Sequence, residues 1–253
     1  IGTSENGTKT PTIQNDGRIV VEGQGAGFEL GGAGVKGIGI NNGTITVGEV
    51  FDKAEDKWAH GVLINVANQT FTNNGTINAT AEGTSAIEVK DDANNTALKF
   101  GAKSDVNGLV HLAAGNTTLT FDGTVDTMKI KTENGVTALL DLQNKANLTL
   151  EDGLKSTYET VTLDDSRLNA SIWGDDNTFK TVTVNEGSIF NITKLNSRVD
   201  LKSDADLPKD QLLIARDQSF TYDHAQMHVA GKVFTGNLKV GTLDQKGTVT
   251  LRG

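Results

Sequence analysis

Cysteine is absent from the 253 residues, which excludes a disulfide framework, a thiolate zinc site, a thiol nucleophile and an iron–sulfur cluster. Proline occurs twice, at Pro11 and Pro208, so the long middle is free of the residue that most strongly interrupts sheet. Aromatic residues make up 5% and hydrophobic residues 36% of the chain, thin for a compact single core and easier to reconcile with an elongated architecture. Positive charge is scarce as well: 23 Lys and Arg against 32 Asp and Glu give a net charge of −9, which argues against nucleic acid as a partner. No apolar run is long enough to span a bilayer, and residues 1–10 lack the charged and apolar regions of a leader. The chain therefore reads as soluble, with no membrane insertion. Its start at Ile1 reads as that of a processed or excised piece, and the lack of cysteine favours export.

What the chain has is repetition. Asn41-Asn42-Gly43-Thr44-Ile45 recurs as Asn73-Asn74-Gly75-Thr76-Ile77, with a looser copy at Asn15-Asp16-Gly17-Arg18-Ile19. Each reads as a tight turn, its glycine supplying a positive φ, followed by a strand. Farther on, Thr160-Val161-Thr162-Leu163 matches Thr181-Val182-Thr183-Val184 at a spacing of 21, with Leu168 and Ile189 keeping the same offset. This spacing predicts columns of Leu140, Val161 and Val182, and of Leu142, Leu163 and Val184, alternating with polar residues as strands with one buried face do.

Units of about 20 to 30 residues with short strands and polar turns cannot bury an apolar face alone, but they can when stacked on like units. The fold expected is all-β: a right-handed parallel β-helix over residues 1–203, closed by a C-terminal β cap of less regular strands or hairpins over 204–253. Coils about 4.8 Å apart would turn roughly ten repeats into a rod on the order of 50 Å long. Propeller blades need about 40 residues and an aromatic signature, which is missing.

The Asn-Asn-Gly-Thr-Ile phrases, the ladder columns and the cysteine-free Thr/Asn/Gly/Asp composition resemble the passenger domains of Gram-negative autotransporters, in the pertactin-like and self-associating adhesin group. The likeness covers about residues 13 to 201, and the tail resembles the region that caps such passengers and aids their folding. The resemblance implies an excised passenger piece, without its leader and membrane barrel, displayed at the cell surface. It further implies a non-catalytic role in adhesion, aggregation or biofilm formation. The partner would be a host surface protein or glycan, or the same protein on another cell. An inert stalk within a larger adhesin and a carbohydrate-active hydrolase or lyase are the alternatives.

Enzyme and cofactor signatures are weak. Gly32-Ala33-Gly34-Val35-Lys36-Gly37 spells G-x-G-x-x-G, yet no helix pattern follows, and Lys36 stands where a calcium roll needs aspartate. His60, His111, His224 and His228 lack metal-ligand spacing and read as solvated or strand-face residues. No nucleophile motif is present. Asp91-Asp92, Asp164-Asp165 and Asp175-Asp176 suggest paired catalytic carboxylates, but strand neighbours face opposite ways and Asp pairs favour turns. No cofactor or metal is expected. Asn and Thr stacked in register read as hydrogen-bonded ladders.

Candidate contact residues come from the longest departure from the repeat. Ile45 and Ile77 are 32 apart, and the excess falls on 49–60, where Phe51, Ala54 or Glu55, and Trp58 follow helical spacing. The insert reads as a short helix or a charged loop presenting Phe51, Lys53, Glu55, Asp56, Lys57, Trp58 and His60 to a partner, or as Phe51 and Trp58 folded back over a neighbouring coil. A second group, Trp173 with Asp175 and Asp176, pairs an aromatic face with carboxylates suited to a sugar.

Overall fold

The structure, a computed structural model, describes residues 10–31, 36–48, 58–171 and 177–194 and the strands at 226–229, 232–235, 242–245 and 248–251. All regular elements among the described residues are strands. Two compact units are distinguished, residues 1–120 with 128–136 and residues 121–127 with 137–253. Each is a parallel β-solenoid, as the repeats predict.

In the first unit, β1 (Thr12–Asn15), β2 (Arg18–Val21) and β3 (Gly25–Leu30) form one coil. The next coils are β4 (Ile38–Asn41), β5 (Thr44–Val47) and β6 (Ala59–Ile64), then β7 (Thr70–Asn73), β8 (Thr76–Ala79) and β9 (Thr84–Val89). A fourth begins with β10 (Ala97–Phe100) and β11 (Asp105–Leu112). Every strand lies parallel to its equivalent in the adjacent coil, giving three faces: β1-β4-β7-β10, β2-β5-β8-β11 and β3-β6-β9-β11. β11 serves two of them, its first half beside β8 and its second beside β9. The chain turns that corner at Gly108, whose φ is 145° and where a Cβ would strike the Ala79 carbonyl. β12 (Thr117–Asp122) and β13 (Val125–Thr132) carry the chain between the two sets of residues, and residues 129–132 lie in register with 109–112.

The Asn-Gly phrases stack as their likeness predicts, Asn15 on Asn41 on Asn73 and Ile19 on Ile45 on Ile77. The first column is a buried amide ladder. Asn15 Nδ2 donates to Asn41 Oδ1 at 2.8 Å, Asn41 Nδ2 to Asn73 Oδ1 at 2.7 Å, and Asn73 Nδ2 to Ser104 Oγ at 2.8 Å. The same amides donate to the turn carbonyls of Gly17, Gly43 and Gly75, so one side chain per coil satisfies both its own turn and its neighbour. One residue along, an exposed ladder links Asp16, Asn42 and Asn74. The glycines differ from expectation: Gly43 and Gly75 do not adopt a positive φ. They are required because a Cβ on Gly43 would collide with the Gly17 carbonyl, and one on Gly75 with that of Gly43. Positive φ is instead found at other turns, at Gly123 (66°) and Gly153 (82°) among them.

The second unit continues with β14 (Ala138–Gln143), β15 (Asn147–Leu150), β16 (Ser156–Leu163), β17 (Arg167–Ser171), β18 (Asn177–Val184), β19 (Ile189–Lys194), β20 (Gln226–Val229), β21 (Lys232–Thr235), β22 (Thr242–Gln245) and β23 (Thr248–Leu251). The two sheets run β14-β16-β18-β20-β22 and β15-β17-β19-β21-β23. Leu140, Val161 and Val182 share one column and Leu142, Leu163 and Val184 another, which is the predicted register. The offset of 21 does not extend to the second sheet: Leu168 lies beside Phe190, and Ile189 beside Arg167. The turn before β19 is one residue longer than that before β17, and Gly187 absorbs the difference with φ 83°. Tail strands β20 to β23 pair in parallel with β18, β19 and one another, where the sequence suggested less regular strands or hairpins. The expected boundary at 203/204 lies outside the described residues.

Few aromatics suffice because register concentrates them. Tyr158 lies beside Phe179 in the ladder and stacks on it at 5.4 Å, and Phe190 meets Phe179 edge-on at 5.6 Å, all three fully buried. In the first unit Phe28 and Phe71 make a similar edge contact at 5.7 Å. Such pairs add about 0.5–1.5 kcal/mol beyond the area they bury.

Two expectations follow. Val161→Asp places an unpaired carboxylate between Leu140 and Val182 and is expected to cost about 3–5 kcal/mol, while Thr162→Asn stays within about 0.5 kcal/mol. Thr162→Asp is the poorer control, because it stacks a second carboxylate beside Asp141. Asn41→Leu strands the amides of Asn15 and Asn73 and is expected to cost about 2–4 kcal/mol, against about 1 kcal/mol or less for Asn42→Leu in the exposed ladder. Denaturant midpoints of the four variants check both, and equal midpoints within either pair contradict the assigned register.

Candidate functional site

The third face of the first unit concentrates chemistry. Its apolar residues Val62, Ile87, Val110 and Ile130 stack inward. The residues that follow each of them point the other way. Those residues are Leu63, Glu88, His111 and Lys131, one per coil in a continuous outward column. Three positions before Leu63 and Glu88 lie His60 and Ser85, also in register. A cleft of about 300 Å³ opens over this face, lined by Trp58, His60, Ser85, Glu88, Lys90, Leu109, His111 and Lys131 among others.

Hydrogen bonds tie the coils together across the cleft. His111 lies between two carboxylates, Nδ1 at 2.9 Å from Glu88 Oε1 and Nε2 at 2.7 Å from Glu133 Oε1. Lys131 Nζ reaches Glu133 Oε1 at 3.3 Å, and Lys90 Nζ stands 3.8 Å from Glu88 Oε1. Farther along the face, His60 Nδ1 is hydrogen-bonded to Ser85 Oγ at 2.6 Å. Glu88 and His60 are outward-facing yet only 7% and 6% exposed, whereas Trp58 at the rim is 54% exposed.

This setting separates the two histidines. The bond from Glu88 raises the His111 pKa above its ordinary 6.5, helped by the Glu88 charge and by Glu133 and opposed by burial and Lys131. Burial is the main influence on His60 and lowers it, with Glu88 opposing. Burial pushes the Glu88 carboxyl up, but the His111 bond and the charges of His111, Lys90 and His60 outweigh it and hold it low. Glu133 is held low by its bonds from His111 and Lys131. Around neutral pH the face therefore presents ionised carboxylates, a neutral His60 and, at His111, an imidazole that keeps its proton to higher pH than a free one.

Of the residues the sequence nominated, Trp58 and His60 meet in this cleft. His60 is not part of an insert: it lies inside β6, and its side chain is nearly buried against Ser85. Trp58 stands immediately before that strand, 54% exposed, and lines the cleft together with Thr84 and Ser85 of the next coil. Phe51, Lys53, Glu55, Asp56 and Lys57 lie outside the described residues, as do Trp173, Asp175 and Asp176. His111 is a strand-face residue as expected, but half-buried and ion-paired rather than solvated. His224 lies outside the described residues, and His228 is placed only as part of β20. Asp91-Asp92 and Asp164-Asp165 both fall in turns, Asp165 with a φ of 43°. Gly37 leads into strand β4 rather than a helix, so that glycine run has no helix N-terminus to offer a phosphate.

Sequence reasoning missed Ser85, Glu88, Lys90, Lys131 and Glu133. The signal was available: aligning the inward column Val62, Ile87, Val110, Ile130 puts Glu88, His111 and Lys131 in the next. Among the described residues no group of His, Asp and Glu is arranged to hold a metal ion, and no helix is long and apolar enough to cross a membrane. In comparisons of the chain with family models, curated proteins and solved structures, nothing matches.

The two histidines give a pH signature. Because the folded-state pKa of His111 lies above 6.5, its contribution is complete below pH 6.5 and is lost as pH rises through the folded value. His60 has the opposite sign: its folded-state pKa lies below 6.5, so its contribution is present above pH 6.5 and lost as pH falls through its folded value. Histidine NMR titration is expected to place His111 above and His60 below 6.5. His111→Asn is expected to remove the loss of stability on the alkaline side of pH 6.5 while leaving the acid side intact. Coincident titrations contradict this arrangement.

Proposed function

We propose that this chain is a surface-displayed contact module, an autotransporter-like passenger segment that promotes adhesion or aggregation through the lateral face of its β-solenoid without catalysis. The observation that carries this reading is the cleft on the third face, with Trp58 exposed at its rim beside buried polar side chains. Parallel coils supply a rigid platform, outward columns supply a row of side chains at one-coil spacing, and an exposed Trp is an effective anchor once a partner desolvates it. Repetition and the missing cysteine suit a secreted bacterial surface protein. An inert stalk has no use for a polar cleft with an aromatic rim.

A hydrolytic reading draws on the carboxylates around His111 and on the Ser85–His60 bond. Glycoside cleavage requires one carboxyl that holds its proton near neutral pH, whereas Glu88 and Glu133 are both held low. Asp141, whose carboxyl burial and the Asp164 charge push up, belongs to the second unit. The non-catalytic reading is therefore preferred.

The test is display of the chain on a bacterial cell that does not itself aggregate, scored by settling rate and by adherence to cultured epithelial cells. The displayed chain is expected to increase at least one of the two, and Trp58→Ala to reduce that gain by about tenfold with an unchanged melting temperature. A displayed, folded chain that alters neither score would reject the adhesive role, and a gain indifferent to Trp58 would reject this face as its seat.

A further inference from the structure

The charges of the cleft restrict what can occupy it. Each cation there has a carboxylate beside it: Lys90 has Glu88, Lys131 has Glu133, and His111 has both. An anionic ligand would have to compete with Glu88 or Glu133 for these cations, and a cationic one would have to displace Lys90, Lys131 or His111. Breaking the shielded Glu88–His111 pair leaves a charge uncompensated and is costly, and the exposed Lys131–Glu133 pair adds a smaller barrier. A neutral polyhydroxyl ligand meets neither obstacle. Its hydroxyls donate to the carboxylate oxygens that remain open, accept from the ammonium groups, and pair with Ser85 Oγ, leaving the ion pairs in place. Trp58 adds a flat apolar surface at the rim, suited to the C–H face of a sugar ring. A few convergent polar groups beside an aromatic wall, in a concave site of about 300 Å³, are the usual composition of a small-molecule site.

The direction of the site narrows the ligand further. His60 and Ser85 lie on adjacent coils, and Glu88, His111 and Lys131 on three successive ones. Equivalent atoms on neighbouring coils are about 4.8 Å apart, comparable to the advance per residue of an extended chain of pyranoses. A linear oligosaccharide lying across the strands would therefore meet a new polar side chain at each sugar.

From this geometry we infer that the cleft between Trp58 and Lys131 is a binding site for a neutral, linear oligosaccharide, with Trp58 stacking on one ring and Ser85, Glu88, His111 and Lys131 reading hydroxyls along the chain. The inference deepens the adhesive reading and rests on taking this face as the contact surface.

The test is a glycan array probed with the purified chain, covering neutral hexose, N-acetylhexosamine and deoxyhexose oligomers together with heparin and polygalacturonate. Calorimetry would then follow on the best neutral hexasaccharide. Binding to at least one neutral linear series is expected, strengthening from disaccharide to about tetrasaccharide as successive coils are engaged. Trp58→Ala is expected to weaken it about tenfold and Trp58→Tyr much less. Lys131→Met, at an accessible position, is expected to weaken binding without changing the melting temperature. Binding confined to heparin or polygalacturonate and abolished by salt would overturn the inference, as would silence across the neutral series or binding indifferent to both Trp58 and Lys131. Aggregation that depends on Trp58 without glycan binding would overturn the saccharide and leave the adhesive reading standing. Glycan binding by a chain that promotes neither aggregation nor adherence would do the reverse.

Discussion

Every coil must place its backbone N–H and C=O groups where the equivalent groups of the next coil can pair with them, and this constraint governs the rest of the molecule. Parallel pairing at a fixed spacing means that a residue's closest neighbours are its counterparts one coil above and below. Side chains therefore succeed or fail as columns: isoleucine on isoleucine at Ile19, Ile45 and Ile77, ring on ring at Tyr158 and Phe179, amide on amide at Asn15, Asn41 and Asn73. A core built this way can be narrow and poor in aromatics, because buried residues are covered by their counterparts in the neighbouring coils. Asparagine suits a buried column particularly well, since its amide donates on one side and accepts on the other, so a stack of them leaves little unpaired.

The same rule applied to the outward columns explains the cleft. Identical charges stacked at such spacing repel, and like charges directly opposite on neighbouring strands are unfavourable. The column Leu63, Glu88, His111, Lys131 avoids this by changing character at every coil. His111 accommodates two carboxylates at once, Glu88 from the column and Glu133 beside it, and Glu133 in turn holds Lys131, whose charge opposes that of His111. What makes the face stable also makes it selective, because the charges are already engaged with one another.

Sequence periodicity showed the solenoid and much of its register, since apolar columns and Asn-Gly phrases repeat visibly where coils are nearly equal in length. It failed where a turn changes length: Leu168 was matched to Ile189 by constant spacing, while the extra residue at Gly187 moves the true neighbour to Phe190. It also misjudged the glycines of the Asn-Gly phrases, because a collision with the carbonyl of another coil cannot be seen in a local turn pattern. The cleft was only partly legible. Trp58 and His60 stood out as an aromatic and a titratable residue near an insertion, but Ser85, Glu88 and Lys131 come from other coils, the nearest of them, Ser85, 25 residues from His60 along the chain. Their meeting depends on the register of a third strand per coil that the repeats do not advertise.

The exposed ladder beside the buried one has a chemical consequence as well as a mechanical one. An asparagine followed by glycine is prone to lose its amide when the next backbone nitrogen attacks the side-chain carbonyl, and Asn42-Gly43 is such a pair. In the folded chain the Gly43 nitrogen donates to the Asn15 carbonyl at 3.1 Å, while the Asn42 amide is held against Asp16 at 2.8 Å. The attacking atom and its target are thus both engaged by the neighbouring coil. Ageing of Asn42 to aspartate would remove the donor to Asp16 and set two carboxylates against each other, so the stacked state that depends on this amide also shields it from slow chemical decay.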